Sequence, residues 1–163
     1  MDEALTILPL DSTADRERCA RIMSSSEPWL TLGRSYESSY ELLGDPTREI
    51  YVAKQDDGLA GFIILLMQGA LVGYVQTVCV ASEHRNQGVG QRLLAFAEER
   101  IFRESPNVFL CVSSFNTDAQ RLYLRLGYEQ IGELKDYIVR GHSELLMRKT
   151  CGPLREFRAR AVE

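Results

Sequence analysis

The chain has 163 residues, of which 45% are hydrophobic and 26% are charged, as in a soluble globular protein of one domain. Its net charge of −4 argues against a nucleic-acid-binding protein, which is usually basic. Its longest apolar stretch, Phe62 to Met67, has the length of a strand and falls short of the roughly 18 residues that span a membrane.

The residue patterns predict one mixed α/β sheet with flanking helices. Asp56-Asp57-Gly58 is typical of a hairpin turn, and Gly127 is typical of the residue that follows a helix. In chain order we predict a strand at 5–10, helices at 11–24 and 35–43, strands at 49–55, 59–68 and 74–80, a helix at 89–102, a strand at 108–112, a helix at 117–126, and strands at 129–134 and 143–149. Helical spacing predicts that helix 89–102 buries Val89, Leu93, Phe96, Ala97 and Ile101.

The cysteines are scattered along the chain as Cys19, Cys79, Cys111 and Cys151, with no C-x-x-C pair, and the two histidines stand apart. This spacing predicts no metal site, and unpaired thiols favour a reducing, cytoplasmic setting. The acidic start of the chain, Met1-Asp2-Glu3, is unlike a secretory signal.

A strand ending in Val78-Cys79-Val80 leads through a polar turn into Arg85-x-x-Gly88-x-Gly90, where a helix is predicted to begin. The first amides of a helix have no internal acceptor, and the helix dipole adds about half a positive charge there. Glycines let the backbone approach a pyrophosphate closely, and Arg85 supplies a charged donor. The nucleoside-triphosphate motif G-x-x-x-x-G-K-[ST] and the dinucleotide motif G-x-G-x-x-G are both missing. These residues alone also fit a glycine-rich connection that binds nothing.

Two motifs together resemble the GNAT superfamily of N-acetyltransferases. The first is V-x-V, a polar turn and [RQ]-x-x-G-x-[GA] at a helix start. The second is N-x-x-A-x-x-[LF]-Y-x-x-x-G-[FY], which is matched from Asn116 to Tyr128. The resemblance runs from about Leu5 to Lys149 and is strongest from Tyr74 to Glu129. It is nearest to the bacterial N-terminal (alanine) acetyltransferases of ribosomal proteins.

The resemblance implies the α/β GNAT fold, a mixed and largely antiparallel sheet flanked by about four helices. Two central parallel strands, 74–80 and 108–112, should splay apart in a V. The acetyltransferase domain would occupy residues 1–149. Residues 150–163 would form a basic tail, a solvated or frayed C-terminal helix that contains Arg155, Arg158 and Arg160.

The resemblance also implies that acetyl-CoA is the co-substrate. Its pantetheine would lie along the V-x-V strand, and its pyrophosphate would bind to the amides at the start of the helix. The residues so assigned to acetyl-CoA are Val78, Cys79, Val80, Arg85, Asn86, Gln87, Gly88, Val89, Gly90, Gln91, Asn116 and Tyr123. A simple helix cap is the alternative role for Asn116.

Tyr123 is the predicted catalytic residue. Acyl transfer from a thioester expels a thiolate, and a phenol of pKa about 10 can protonate a thiolate whose conjugate acid has a pKa of about 8.5. A backbone N–H of the V-x-V strand can stabilise the oxyanion that forms first. The alternative is that Tyr123 is an aromatic residue of the core, since Ala119, Leu122 and Leu126 share its helix face.

No carboxylate stands where the relatives have their general base. The N-terminal acetyltransferases place a glutamate at the position of Cys111, and histone-type relatives place one close to Tyr74. A thiol is a poor base, so Cys111 is predicted to be a wall of the cleft. The remaining alternatives are that water takes the proton or that a carboxylate from elsewhere does, for which Glu49 and Asp136 are candidates.

The acceptor would be a primary amine, either a protein N-terminus or a small molecule. Trp29 and Tyr137 match aromatic positions beside the acceptor in these relatives, and Tyr74 and Cys111 would line the same cleft. His142, in a turn, is predicted to be a surface residue. A second hypothesis is a regulatory module that binds acyl-CoA without catalysis. In either case we expect a monomer or a homodimer, with no nucleic acid and no membrane as partner.

Overall fold

The computed structural model describes residues 4–158, so Met1–Glu3 and residues 159–163, which include Arg160, lie outside it. The strands are β1 (Thr6–Pro9), β2 (Glu49–Gln55), β3 (Gly58–Leu66), β4 (Tyr74–Val80), β5 (Asn107–Ser113), β6 (Glu129–Lys135) and β7 (Ser143–Thr150). The helices are α1 (Thr13–Ser24), α2 (Tyr36–Leu42), α3 (Val89–Ile101) and α4 (Thr117–Arg125). All the predicted elements up to β7 are present, and their bounds differ from the predicted ones by a residue or two.

The prediction of a C-terminal helix is wrong over the described part of the tail. The chain there forms only a 3-10 turn, Leu154–Glu156, after Gly152 and Pro153. Proline disfavours a helical conformation in the residue before it, and Gly152 has φ +151, so the strand cannot run on directly into a helix.

One seven-stranded sheet forms the centre of the described structure, in the order β1-β2-β3-β4-β5-β7-β6. Only β4 and β5 are parallel, and all other neighbours are antiparallel. The largely antiparallel mixed sheet predicted for the chain is therefore confirmed.

The two parallel strands separate soon after they begin. They pair only at Tyr74↔Phe109 and Val75↔Leu110, although β4 continues to Val80. On its other side β4 stays paired with β3 as far as Val80. The facing backbone edges of β4 and β5 therefore diverge as the predicted V.

Gly73 holds the closed end of this V together. Its carbonyl accepts a hydrogen bond from the Phe109 amide at 2.9 Å, and its φ is +90°. A Cβ at this position would lie 2.5 Å from the Asn107 carbonyl oxygen and 2.6 Å from Ile101 Cγ2. Only glycine fits where the two strands meet, because both the backbone angle and the space exclude a side chain.

The helices cover both faces of the sheet, so β3 is buried along nearly its whole length. Phe62 and Ile64 pack with α1 and α2, whereas Ile63 and Leu65 pack with α3. On α3 the buried residues are Val89, Leu93, Leu94, Ala97 and Ile101. The prediction that Phe96 is buried is wrong.

Phe96 is only half-buried, because its ring lies at the edge of the helix interface. There it meets the Tyr51 ring edge-on, with the ring centroids 4.7 Å apart. Leu94 takes the buried position instead.

Gly73→Ala tests the constraint at the closed end of the V. We expect the free energy of unfolding to fall by about 3 kcal/mol, since the methyl group adds steric overlap to the cost of a positive φ. Gly69→Ala is the matched control, because Gly69 has φ +91° and nothing within 4 Å of its Cβ position. There we expect a loss of about 1 kcal/mol. Urea unfolding of both variants measures the difference, and equal losses would contradict this role for Gly73.

Candidate functional site

The diverging strands β4 and β5 open a cleft that contains two adjoining cavities. We call the first, of about 500 Å³, the inner cavity; it lies between β4, β5, the start of β7 and the loop from α1 to α2. The second, of about 950 Å³, is the helix-end groove, which lies between the start of α3 and α4. Both are lined by Pro28, Trp29, Val78, Asn116 and Tyr123. A ligand in one cavity can therefore reach a ligand in the other at these shared walls.

The start of α3 presents open backbone amides to the helix-end groove. Gly88 caps the helix with φ +79°, and no side chain caps it. The first helix amide with a backbone acceptor is that of Arg92, which donates to the Gly88 carbonyl at 3.0 Å. Within residues 4–158, the amides of Val89, Gly90 and Gln91 thus have no acceptor. Free amides at a helix start favour an anion, and the space above Gly88 is open, since a Cβ there would meet nothing within 4 Å.

Charged side chains along the groove favour an anion. Arg85, Arg121 and Arg125 line it, opposed by Glu27 and Asp118. Arg121 pairs with Asp118 at 3.2 Å, but this pair is exposed and therefore weak. The balance of charge along the lining is positive, although the chain as a whole is acidic.

The residues predicted to contact acetyl-CoA line this groove, with the exception of Gln87. The Gln87 side chain turns back, and its Nε2 donates to the Glu83 carbonyl at 2.9 Å. Asn116 both caps a helix and lines the cleft. Its Oδ1 caps α4 by accepting a hydrogen bond from the Ala119 amide at 3.3 Å, and the residue lines both cavities.

Tyr123 lies where the two cavities meet. Its ring packs edge-on against Tyr128, with the centroids 5.8 Å apart, so core packing fixes its position. Burial raises the pKa of Tyr123 to about 12, which keeps the phenol protonated at neutral pH. Its hydroxyl has no hydrogen-bond partner among residues 4–158.

The inner cavity brings together the predicted acceptor residues Trp29, Tyr74, Cys111 and Tyr137. Trp29 also packs against the core beneath α1 and α2, whereas Tyr137 is 62% exposed. Burial raises the pKa of the Cys111 thiol. The hydroxyl of the neighbouring Tyr74 opposes this shift only in part. Cys111 is therefore a neutral thiol in the wall of the cavity, as the sequence predicts.

Glu144 is the carboxylate that the sequence analysis missed. It is the second residue of β7, is only 4% exposed, and lines the inner cavity. The sheet register sets it opposite Ser113, whose Oγ donates to Glu144 Oε1 at 2.6 Å. Burial raises the pKa of Glu144, and the Ser113 hydroxyl and His142 oppose the shift. Its sequence context, just after a turn, gives no signal that distinguishes it from a solvated glutamate.

The two carboxylates suggested from the sequence lie elsewhere. Glu49 forms an ion pair with Arg100 on α3 at 2.6 Å, and Asp136 accepts from the Gly141 amide at 2.6 Å. Neither lines the inner cavity. His142 is half-buried against the Phe115 ring, at 4.9 Å between ring centroids, so it is not the surface residue that was predicted.

Arg34 is the second charged residue that the sequence analysis missed. It follows the short turn after Trp29, to whose carbonyl its amide donates at 3.0 Å, and it is half-buried in the cavity wall. Its guanidinium has no ion-pair or hydrogen-bond partner in the part of the chain that the structure describes. Burial lowers its pKa. Among the described lining residues, Arg34 and Glu144 are the only charged ones.

The sequence matches the acetyltransferase (GNAT) family over residues 14–128, which include the diverging strands β4 and β5, the open helix start and Tyr123. The chain belongs to the GNAT family. The resemblance drawn from the two motifs is thereby confirmed.

Individual relatives differ in the acceptors that their names give. The chain is 34% identical to an aminoalkylphosphonate N-acetyltransferase of Salmonella typhimurium over 92 residues, 53% of this chain and 60% of that one. An aminoglycoside 6'-N-acetyltransferase solved with coenzyme A has a TM-score of 0.73 at 19% identity, over 91% of this chain and 98% of that one. The ribosomal-protein-S18-alanine N-acetyltransferase of Escherichia coli has a TM-score of 0.72 at 19% identity, over 92% and 96%.

At such identities the two solved structures establish the shared fold alone. This chain spans 38%, 60% and 53% of the lengths of the three curated relatives that it matches. In residues 4–158, no helix is long and apolar enough to cross a membrane, and no group of three His, Cys, Asp or Glu side chains could hold a metal ion.

Glu144→Gln tests the burial of the carboxyl group. Because its pKa is raised in the folded state, its contribution to stability is present below the unfolded pKa of about 4.3 and is lost as the pH rises through the folded value. The melting temperature of the wild type, minus that of the variant, should therefore fall between pH 4 and pH 7.

Thermal unfolding across this pH range measures the effect. Glu129→Gln, at an exposed position of β6, controls for the removal of one negative charge. A difference between wild type and Glu144→Gln that rises with pH would show that the folded state favours the charged carboxylate.

Proposed function

We propose that this GNAT protein is an acetyl-CoA-dependent N-acetyltransferase that transfers an acetyl group directly to a primary amine. One observation carries the proposal: a cavity with a buried carboxylate and a groove with open helix amides meet at Tyr123. This arrangement suits direct transfer between two ligands bound at once, with no need for an acyl-enzyme.

The helix-end groove suits acetyl-CoA, which would supply the acetyl group as an activated thioester. The amides of Val89, Gly90 and Gln91 would receive its pyrophosphate, and Arg85 would add a charged donor at the rim. Beyond Val75, the backbone edge of β4 that faces β5 has no strand partner in the described structure. Pantetheine, which carries two amides, would hydrogen-bond along this edge as an added strand does.

Glu144 and Tyr123 would divide the proton transfers between them. The acceptor, which enters as an ammonium ion, first gives one proton to solvent. As the bond from its nitrogen to the acetyl carbon then forms, the Glu144 carboxylate takes a second proton from that nitrogen. As the bond from carbon to sulfur breaks, the Tyr123 hydroxyl gives its proton to the sulfur. Solvent then removes the proton from Glu144 and returns one to Tyr123, so the chain ends unchanged.

The pKa of about 12 at Tyr123 does not rule out this role. A thiol in water has a pKa of about 8.5, and transfer across that difference would be uphill by roughly 5 kcal/mol. However, the leaving sulfur would be in the same cleft, where burial raises the pKa of the Cys79 and Cys111 thiols as well. The effective difference is smaller, and a hydrogen bond from the phenol stabilises the thiolate before transfer is complete.

The acceptor would be an amine. By their names, relatives acetylate an alanine of a ribosomal protein, an aminoglycoside or an aminoalkylphosphonate. Measuring thiol release from acetyl-CoA with a panel of such amines tests the proposal. Acetyl-CoA binding without thiol release for any amine would favour the non-catalytic, acyl-CoA-binding module instead.

Gly88→Ala tests the helix-end groove as the acetyl-CoA site. The new methyl group would point into the open space where the pyrophosphate approaches, so we expect acetyl-CoA affinity to fall by about tenfold or more. Gly69→Ala bears the same cost of a positive φ away from the cleft and should bind normally. Calorimetric titration of both variants decides the point, and equal affinities would remove Gly88 from the site.

The proposed acid and base can be tested by Tyr123→Phe and Glu144→Gln. For each variant we expect kcat to fall by roughly 10²-fold, with acetyl-CoA binding nearly unchanged. In the wild type, kcat/KM should fall as Glu144 becomes protonated at low pH. Glu144→Gln should lose this protein ionisation and follow only the pKa of the acceptor amine.

Cys111→Ala is the control, since this neutral thiol lines the same cavity without a proposed proton transfer. We expect its pH profile and kcat to stay close to those of the wild type. If Tyr123→Phe has the kcat of the wild type when the chemical step limits the rate, Tyr123 is an aromatic residue of the core and not the acid.

A further inference from the structure

We infer that the acceptor is a small primary amine that also carries one anionic group, with Glu144 receiving the amine and Arg34 binding the anion. This inference rests on the proposed acetyl transfer and narrows its substrate. It follows from the two charged groups in the inner cavity and from what surrounds each of them.

Arg34 differs from the neighbouring arginines in having no partner among residues 4–158. Arg16 donates to the Tyr40 carbonyl at 2.9 and 2.6 Å and stacks on the Tyr40 ring at 3.8 Å. Arg48 pairs with Asp45 and donates to Gln76 Oε1 at 2.9 Å. Arg34 is half-buried without any such contact among the described residues. Partial burial of an unpaired guanidinium is costly, and a bound anion offsets that cost.

The other lining residues of the inner cavity, in the part of the chain that the structure describes, supply no competing charge. Its other walls are aliphatic and aromatic side chains, neutral hydroxyls, amides and one neutral thiol. An acceptor with an amine and an anionic group would therefore match the two charges one to one. A polyamine or an aminoglycoside would bring further positive charge towards Arg34, where it would be repelled.

The size of the inner cavity favours a small molecule. Its volume of about 500 Å³ lies in the lower part of the usual range for small-ligand pockets, roughly 300–1,000 Å³. Arg34 lies on the loop between α1 and α2, whereas Glu144 lies on β7, so the two ends of the acceptor would be read by separate segments. A planar carboxylate and a tetrahedral phosphonate both offer the oxygens that a guanidinium binds in pairs.

A matched set of short amines tests the inference. β-Alanine and 2-aminoethylphosphonate carry an anion, ethanolamine carries a neutral hydroxyl, and 1,3-diaminopropane carries a second cation. A tripeptide amide with an uncharged N-terminal residue represents protein N-termini. We expect thiol release from acetyl-CoA to be fastest, by kcat/KM, with the two anionic amines. The ratio of kcat/KM for β-alanine to that for 2-aminoethylphosphonate distinguishes a carboxylate site from a phosphonate site.

Substitutions at Arg34 give the sharper result. Arg34→Gln should raise KM for the anionic amines about ten- to a hundredfold, with little change in kcat and no change for ethanolamine. Arg34→Lys keeps the charge but loses paired hydrogen bonding, so its KM for the anionic amines should rise less than that of Arg34→Gln. Arg21→Gln is the control, because Arg21 is exposed on α1 and outside the cavity.

Binding can be followed without turnover, since Trp29 is the single tryptophan of the chain and lines both cavities. With free coenzyme A bound, the anionic amines should change its fluorescence at lower concentrations than ethanolamine does. Arg34→Gln should abolish that preference, and circular dichroism checks that the variant is folded.

The outcomes separate the inference from the proposed function. Equal or faster thiol release with ethanolamine, diaminopropane or the tripeptide would overturn the anionic acceptor and leave the acetyltransferase intact. An unchanged KM for the anionic amines in Arg34→Gln would do the same. Absence of thiol release with every amine, while acetyl-CoA binds, would overturn both.

Discussion

The loss of pairing between β4 and β5 after Val75 is the constraint on which the rest of the site depends. A continuous sheet would satisfy these backbone groups internally and leave no cleft. Because the strands diverge, one edge of β4 is open to a ligand, and the side chains at the far end of β5 line a cavity. Gly73 fixes where the divergence starts, since no side chain fits at the junction.

The parts of the site that are local in sequence could be predicted from the sequence. The helix start at Gly88 and the position of Tyr123 on α4 each follow from a motif of about a dozen residues. Glu144 could not be found in this way, because its burial depends on the register of β7 against β5, which joins residues far apart in the chain. Arg34 was missed for a similar reason, since only the folded loop brings it to the cavity wall.

Burial in one cleft raises the pKa of both proposed catalytic groups, and the consequence differs between the base and the acid. It raises the pKa of Glu144, which brings that carboxylate closer in proton affinity to an amine, and it raises the pKa of Tyr123, which keeps the phenol protonated. A base and an acid are thus prepared by the same desolvation. The cost is stability, because a buried carboxylate without a cationic partner is unfavourable in the folded state.

The open helix start at Gly88 presents main-chain atoms, whereas the inner cavity presents side chains from several separate segments. Main-chain donors are the same for every amino acid except proline, so most mutations hardly alter what they recognise. The side chains that line the inner cavity alone, in contrast, could be exchanged without altering the proposed site for the acetyl donor. A fold divided in this way can evolve new substrates while it keeps one cofactor.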